Sequence, residues 1–354
     1  MTPADPLAPG EFAPELTYLN TASHGLLPAR GRAALAAVQA GWSSGRGVPG
    51  SYDHLVPELR ASFARLLTGA TAADIAIGGT VAGLVGRVAA ALPAGAEVLV
   101  AEGDFASVPN PFRFRGDLVV RAAPVDELAA AVRPETALVA VSLTQSADGR
   151  TVDPAALRAA AHAHGARLLI DATQAAGWLP LRFADADFWV CATFKWLLGA
   201  RSVSLLAVRP EALDGAVPLA AGWYAGADRW GDMYGFGPLS TGAHRLDDTP
   251  DWYGVAASLA GLDLVHRLGV AAIGAHDRTL AAAFRDGLAE LGLPAVPGDS
   301  PIVTVPGGAV HAEALAAGGV VASARGGGLR VSFHLYNTGA DVERALTVLR
   351  EAGR

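Results

Sequence analysis

Between about residues 74 and 209 the chain alternates short β-rich apolar runs with helical stretches, and that alternation leaves few architectures open. The runs are DIAIGG, EVLVAEGD, DLVVRAAP, ALVAVSLT, ARLLIDAT, DFWVCATF and SVSLLAVR. VAGLVGRVAAAL, VDELAAAV and DPAALRAAAHAHG fill gaps between them. Strands alternating with helices form an α/β domain, here a mostly parallel seven-stranded sheet sandwiched by helices. Ligands on such sheets sit at the carboxyl ends of the strands.

With 354 residues, 51% of them hydrophobic, the chain can bury this domain and a smaller partner. Residues 1–42 read as an N-terminal arm and a helix from about Pro28 to Trp42, packed with the small domain. Residues 43–225 form the large domain. Residues 226–354 form a small α+β C-terminal domain, with helices across 252–292, strands at PIVTVP, GVVASA and LRVSFHL, and a closing helix from about Asp341. The stretch GWYAGADRWGDMYGFGPLSTGAHRLDDTPDWYG is too long for an ordinary connection and reads as a functional or interface loop.

A net charge of -7 without a basic run argues against nucleic acid. No apolar stretch is long and unbroken enough to span a bilayer, so no membrane association is expected. One cysteine and an N-terminus unlike a signal peptide lead to the expectation of a cytoplasmic protein. His162 and His164 stand two apart on a helix and do not share a face, and no metal site is expected.

Lys195 is the only lysine; of 27 Lys plus Arg, 26 are arginine. A guanidinium serves wherever charge alone is needed, but only a neutral amine condenses with an aldehyde. Asp171 ends the run ARLLID, and Lys195 follows the next one. If those strands are parallel neighbours, the acid and the sole amine face one pocket. Pyridoxal phosphate (PLP) needs that pair, a lysine for its aldehyde and an anion for its ring nitrogen. The charge pair of Asp171 with that ring nitrogen is expected to lower the pKa of Asp171. The bland alternative for Asp171 is a helix cap.

The phosphate needs a helix N-terminus, and GGTVAGLVG supplies free N–H groups near Thr80 and Val81. Thr193 is a candidate hydroxyl for the same phosphate. Phe105 stands where an aromatic ring could cover the cofactor. Ser142, Thr144 and Gln145 end another strand and are candidate pocket groups. Asn20, Ser23 and His24 are polar at a turn, as substrate-side groups or as plain turn chemistry. Arg330, heading a strand in the small domain, suits a carboxylate, although 26 arginines make that choice arbitrary on chemistry alone. His244 and His334 lie near the implied site loops.

The motifs IDATQAAG, ATFKWLLG with VSLLAVRP, GWY and RVSFHLYNT, in that order, resemble the class V aminotransferase superfamily of fold-type I PLP enzymes. The likeness is nearest to its kynureninase-like or cysteine-desulfurase-like branch. It implies that Lys195 is the imine lysine and Asp171 the pyridinium partner. It places Gln174 at the cofactor phenolic oxygen, Phe105 on the ring face and Arg330 on the substrate carboxylate. It implies a homodimer with shared active sites, approached by a partner chain near Trp223 and Thr249.

Three departures qualify the likeness. The stretch SARGGGLR lacks the desulfurase cysteine, and Cys191 lies inside a strand. Phe194 stands where relatives carry His or Tyr, and Gln174 where several carry histidine. The expected activity is on an L-amino acid or a derivative, by deprotonation at Cα with the freed lysine as base. Aminotransferase-type chemistry leads. β-Elimination (C–S) lyase, kynureninase-like hydrolase and epimerase chemistry stay open, as does a noncatalytic PLP-binding module.

Overall fold

The structure is a computed structural model that describes residues 5–235 and 237–353; the first four residues of the expected arm lie outside it. All seven apolar runs become strands of one sheet. They are β1 (Ile75–Gly78), β2 (Glu97–Ala101), β3 (Val119–Ala123), β4 (Thr136–Ser142), β5 (Arg167–Asp171), β6 (Phe188–Ala192) and β7 (Ser204–Val208). Their order is β1-β7-β6-β5-β4-β2-β3, parallel throughout except β7, which runs antiparallel to both neighbours.

The near-continuous apolar character of these runs follows from burial on both faces. Ile77, Leu99, Val139, Ile170, Cys191 and Leu205 enter one core, whereas Ala76, Val98, Ala140, Leu169, Val190 and Leu206 enter the other. Alternate side chains of a strand point to opposite faces, so each strand feeds both layers.

The helices of ten residues or more are α1 (Ala29–Ser43), α2 (Leu55–Ala64), α3 (Val81–Ala91), α4 (Pro154–Ala163), α5 (Trp252–Leu268), α6 (Val270–Glu290) and α7 (Gly339–Ala352). Sequence sets the start of α3, where the Thr80 hydroxyl accepts from Gly83 N at 3.0 Å. Its buried Val81, Leu84, Val85 and Val88 then repeat at helical spacing against the sheet. The expected helix in VDELAAAV shrinks to a 3-10 turn at Val125–Glu127 and one α turn at Leu128–Ala131. Pro134 follows closely and leaves it no length.

The C-terminal part carries a three-stranded antiparallel sheet of β8 (Ile302–Val305), β9 (Ser323–Arg325) and β10 (Gly328–Ser332), in the order β8-β10-β9. Arg330 therefore sits at the centre of β10 and does not head it. This sheet has its own core, which includes Leu280, Phe284, Val303, Val331, Phe333 and Leu346. Thr17–Tyr18 pair with Val320–Val321 and Leu19 joins that core, whereas α1 packs chiefly on α5. The cores divide elsewhere than at residue 226. Val255, Leu262 and Val265 of α5 and Ile273 of α6 belong to a core of the large sheet, with α5 packed on α1 and α2. The separate core starts at Leu280.

Candidate active site

Lys195 lies on the connection from β6 to β7, a loop held in shape from all sides. The fully buried Thr193 hydroxyl lies 2.9 Å from Ala200 O, 3.1 Å from Val203 O and 2.9 Å from Ser258 Oγ. Thr193 thus braces the loop and is not among the cavity-lining residues, contrary to the phosphate role expected of it. Leu198 takes a left-handed conformation at φ 57°, which costs on the order of 1 kcal/mol in a non-glycine residue. Neighbouring glycines allow the close packing that holds it. A Cβ on Gly261 of α5 would stand 2.7 Å from Leu198 O, and one on Gly25 would overlap the Lys195 carbonyl.

Behind the loop, His334 is wholly buried between Asp277 Oδ2 at 2.9 Å from Nδ1 and Trp196 O at 3.1 Å from Nε2. Both ring nitrogens face acceptors. The histidine therefore fixes the backbone next to Lys195 and does not reach the cavity.

In front of the loop is a cavity of about 490 Å³ at the carboxyl ends of the strands. Of the residues picked out by sequence, Ser23, His24, Thr80, Val81, Phe105, Ser142, Asp171, Gln174, Lys195 and Arg330 line it. β5 and β6 are parallel neighbours, so the acid and the amine do share one edge. Ser142 is the direct cross-strand neighbour of Asp171.

Lys195 is 6% exposed and its Nζ has no hydrogen bond or ion pair among the described residues. It lies 5.4 Å from the centre of the Phe105 ring and 5.7 Å from that of Phe194. Burial lowers its pKa to about 8, with Asp171 opposing and Arg330 assisting. Asp171 Oδ1 accepts from Thr173 N at 2.8 Å. Burial raises the Asp171 pKa to about 6, outweighing that bond and the attraction of Lys195. In the chain by itself desolvation is the larger effect; the lowering expected from a protonated ring nitrogen belongs to the cofactor-loaded site.

Gln174 lines the cavity with its amide engaged at both ends. Nε2 donates to Ala22 O at 2.9 Å, and Oε1 accepts from Trp196 Nε1 at 2.8 Å. Arg330, 2% exposed, donates to Ser146 O at 2.5 Å and Ser23 Oγ at 2.6 Å, while its buried Nε has no partner. Burial lowers its pKa to about 10, and Arg325 adds to the effect.

The remaining candidates stand outside the cavity lining, among them Gln145, whose Nε2 donates to Ser142 O at 3.1 Å, and His244, whose Nε2 lies 3.1 Å from Ala72 O. Thr144 is wholly buried, its hydroxyl 3.1 Å from that of Thr151. Asn20 has a buried side-chain oxygen without a partner. Trp223 packs on Trp230 with ring centres 4.9 Å apart. Thr249 lines a smaller cavity of about 300 Å³ with Asp248 and Asp251.

Sequence reasoning passed over Asp104, Arg201 and Arg325. Asp104 accepts from Phe105 N at 2.7 Å and from Ser142 N at 2.8 Å, and so fixes the ring that faces Lys195. Its place just before Phe105 at a strand end was the available signal. Arg201 lies over the Phe194 ring at 4.8 Å and lines the cavity. Gly326 and Gly327 gave a hairpin signal that could have placed Arg325 beside Arg330.

A family model described as aminotransferase class-V matches residues 119–345. The uncharacterized aminotransferase YcbU of Bacillus subtilis is 30% identical over 247 residues, 66% of this chain and 65% of its own length. Kynureninase of Deinococcus radiodurans is 28% identical over 271 residues, 71% of this chain and 65% of its own. The chain thus spans about 65% of the length of these two curated relatives. A solved structure of a C-DES mutant, with glycine covalently linked to its PLP cofactor, matches with a TM-score of 0.86. That match covers 95% of this chain and 97% of the other at 20% identity, and it shows the likeness of fold.

Proposed function

Since the chain belongs to the aminotransferase class-V family, we propose that it is a PLP-dependent enzyme acting on an amino acid or an amino-acid derivative. The observation that carries this reading is the state of Lys195. The only amine side chain in the protein is buried, unpaired and lowered to about 8, on a cavity that also holds Asp171 and Arg330.

The residues present suit the cofactor. PLP, when bound, supplies an aldehyde for the lysine and a protonated ring that draws electrons from Cα. Lys195 would hold the aldehyde carbon, Asp171 the ring nitrogen, and the N–H groups at Thr80 and Val81 the phosphate. Arg201, stacked on Phe194, adds a cation to a wall where relatives keep a polar side chain. Phe105 would cover one face of the ring, and Asp104 holds that phenylalanine in place.

Each group then has a definable task. Asp171, ionised above about pH 6, keeps a proton on the ring nitrogen. Lys195 exchanges a proton with the substrate Cα, and a pKa near 8 suits both halves of that exchange. Arg330 orients the substrate carboxylate with a guanidinium that has no acidic partner among the described residues.

Among reactions that begin with this proton transfer, aminotransfer needs no further protein group. Persulfide chemistry would need a cysteine at the cavity, and Cys191 is wholly buried in β6 with a pKa raised far above the ordinary range by burial. We place C–S lyase, kynureninase-like and epimerase chemistry second. Homodimerisation and a cytoplasmic location belong to the same proposal.

The direct test is the visible absorption spectrum of purified protein saturated with PLP, followed by borohydride reduction and peptide mass analysis. A band above 400 nm and a cofactor mass fixed on Lys195 are expected, with both lost in Lys195→Ala. A wild type without either overturns the cofactor reading. Amino acids offered with and without an α-keto acid then separate the branches, because ammonia release that needs no acceptor overturns aminotransfer.

A further inference from the structure

The hairpin β9–β10 turns through Gly326 and Gly327, both with positive φ, at 52° and 78°. A two-residue turn of that kind fixes the register. Ser323 stands opposite Arg330, and Arg325 opposite Gly328. Side chains alternate along a strand, so Arg325 and Arg330 share one face of the hairpin. Both line the cavity that holds Lys195.

The two guanidinia converge on one small group. Arg330 Nη2 lies 2.6 Å and Arg325 Nη2 3.4 Å from the hydroxyl of Ser23. The remaining Arg325 bond goes to Ala324 O at 2.8 Å, within its own strand. Among the described residues neither arginine has a carboxylate within ion-pair distance. Elsewhere in the chain arginines are commonly paired, as Arg60 is with Asp247 and Arg121 and Arg133 are with Glu97. Two neighbouring cations without an anion, one of them buried with an orphaned Nε, are costly unless a ligand brings the charge.

One carboxylate satisfies one such fork. Arg330 takes the carboxylate on Cα in the proposed function, on which this inference rests, and that leaves Arg325 facing the same space. We propose that Arg325 is a specificity-determining residue and that the substrate is an acidic amino acid, whose second carboxylate Arg325 binds at the mouth of the cavity.

The test is calorimetric titration of the PLP-loaded enzyme with glutarate and with pentanoate, acids of equal chain length that differ in the second carboxylate. A charge-assisted contact corresponds to about a tenfold preference for glutarate. The ratio should fall below threefold in Arg325→Gln and stay above it in Arg32→Gln, an exposed arginine of α1 away from the cavity. Equal affinities in the wild type overturn the proposal. So does a ratio that survives Arg325→Gln, or one that Arg32→Gln abolishes. Arg325 is exposed on a hairpin, so its replacement leaves the core intact, and a melting curve verifies this. The titration is repeated on cofactor-free Lys195→Ala. A glutarate preference there, in a wild type without a cofactor band, sinks the catalytic reading while leaving the two-carboxylate site standing.

Discussion

A Cβ on Gly25 would overlap the backbone carbonyl oxygen of Lys195. The N-terminal turn and the lysine loop therefore touch backbone to backbone, and Gly25 N also donates to Phe194 O at 2.9 Å. Neither side is a flexible side chain that can step aside.

Gly25→Ala should push the lysine loop off its position. Overpacking of this kind costs about 1–3 kcal/mol. The specific sign is cofactor loading: absorption above 400 nm at a fixed PLP concentration should drop at least tenfold, measured below the melting transition. Loading equal to wild type would show that the contact does not position Lys195.

The sole lysine allows its ionisation to be read without interference from other side-chain amines. In the cofactor-free protein, reductive methylation of Lys195, followed by peptide mass, should rise with a midpoint near pH 8, since the neutral amine is the reacting form. An ordinary exposed lysine has its midpoint above pH 10. Asp171→Asn removes the negative charge that favours the ammonium, so the midpoint should move lower. A midpoint above 10 would show that burial does not act on this amine.

Asp171 should be costly to the cofactor-free fold. Its folded pKa, about 6, lies above the ordinary aspartate value. The native state therefore holds the proton more tightly than the unfolded one. The stability so gained is complete below the ordinary value and is lost as pH rises through about 6. At pH 8 the cofactor-free Asp171→Asn variant should be more stable than wild type by about 1–3 kcal/mol in urea titrations, and near pH 4 the difference should shrink. An Asn that destabilises at pH 8 contradicts this.

Arg60 and Asp247 form a buried pair at 2.5 Å, and Asp247 also accepts from Ile77 N at 2.9 Å, which ties residues 242–247 to β1. Arg60→Ala leaves the carboxylate alone in the interior and should cost about 3–5 kcal/mol in urea unfolding. Arg60→Lys should recover only part, since an ammonium lacks the fork. A loss under 1 kcal/mol would mean that water reaches Asp247.

The seven strands were legible because burial on both faces leaves continuous apolar runs. Lys195 and Asp171 were legible because strand ends map to one sheet edge. Thr193 misled for a local reason: a hydroxyl two residues before the lysine is as useful to the loop's own carbonyls as to a phosphate, and Ser258, 65 positions away, tipped the balance. The rise of the Asp171 pKa was hidden because chain order gives neighbouring charges without the depth of burial. The edge of the small domain was misplaced because α5 is apolar enough for either core, and only packing assigns it to the large one. Arg325 escaped notice for want of the hairpin register that pairs it with Gly328.

The loop bearing Lys195 enters from one strand of the large sheet and leaves into the next, antiparallel one, so hydrogen-bond ladders secure both its ends. Such a segment cannot swing as a lid does, because opening it would unzip the middle of the sheet. The amine is consequently a stationary reference point. The opposite wall is built differently, with Arg325 and Arg330 on a short hairpin of a separately packed sheet. Selectivity and turnover rate can then be altered by changes in that hairpin while the chemistry at Lys195 stays in register.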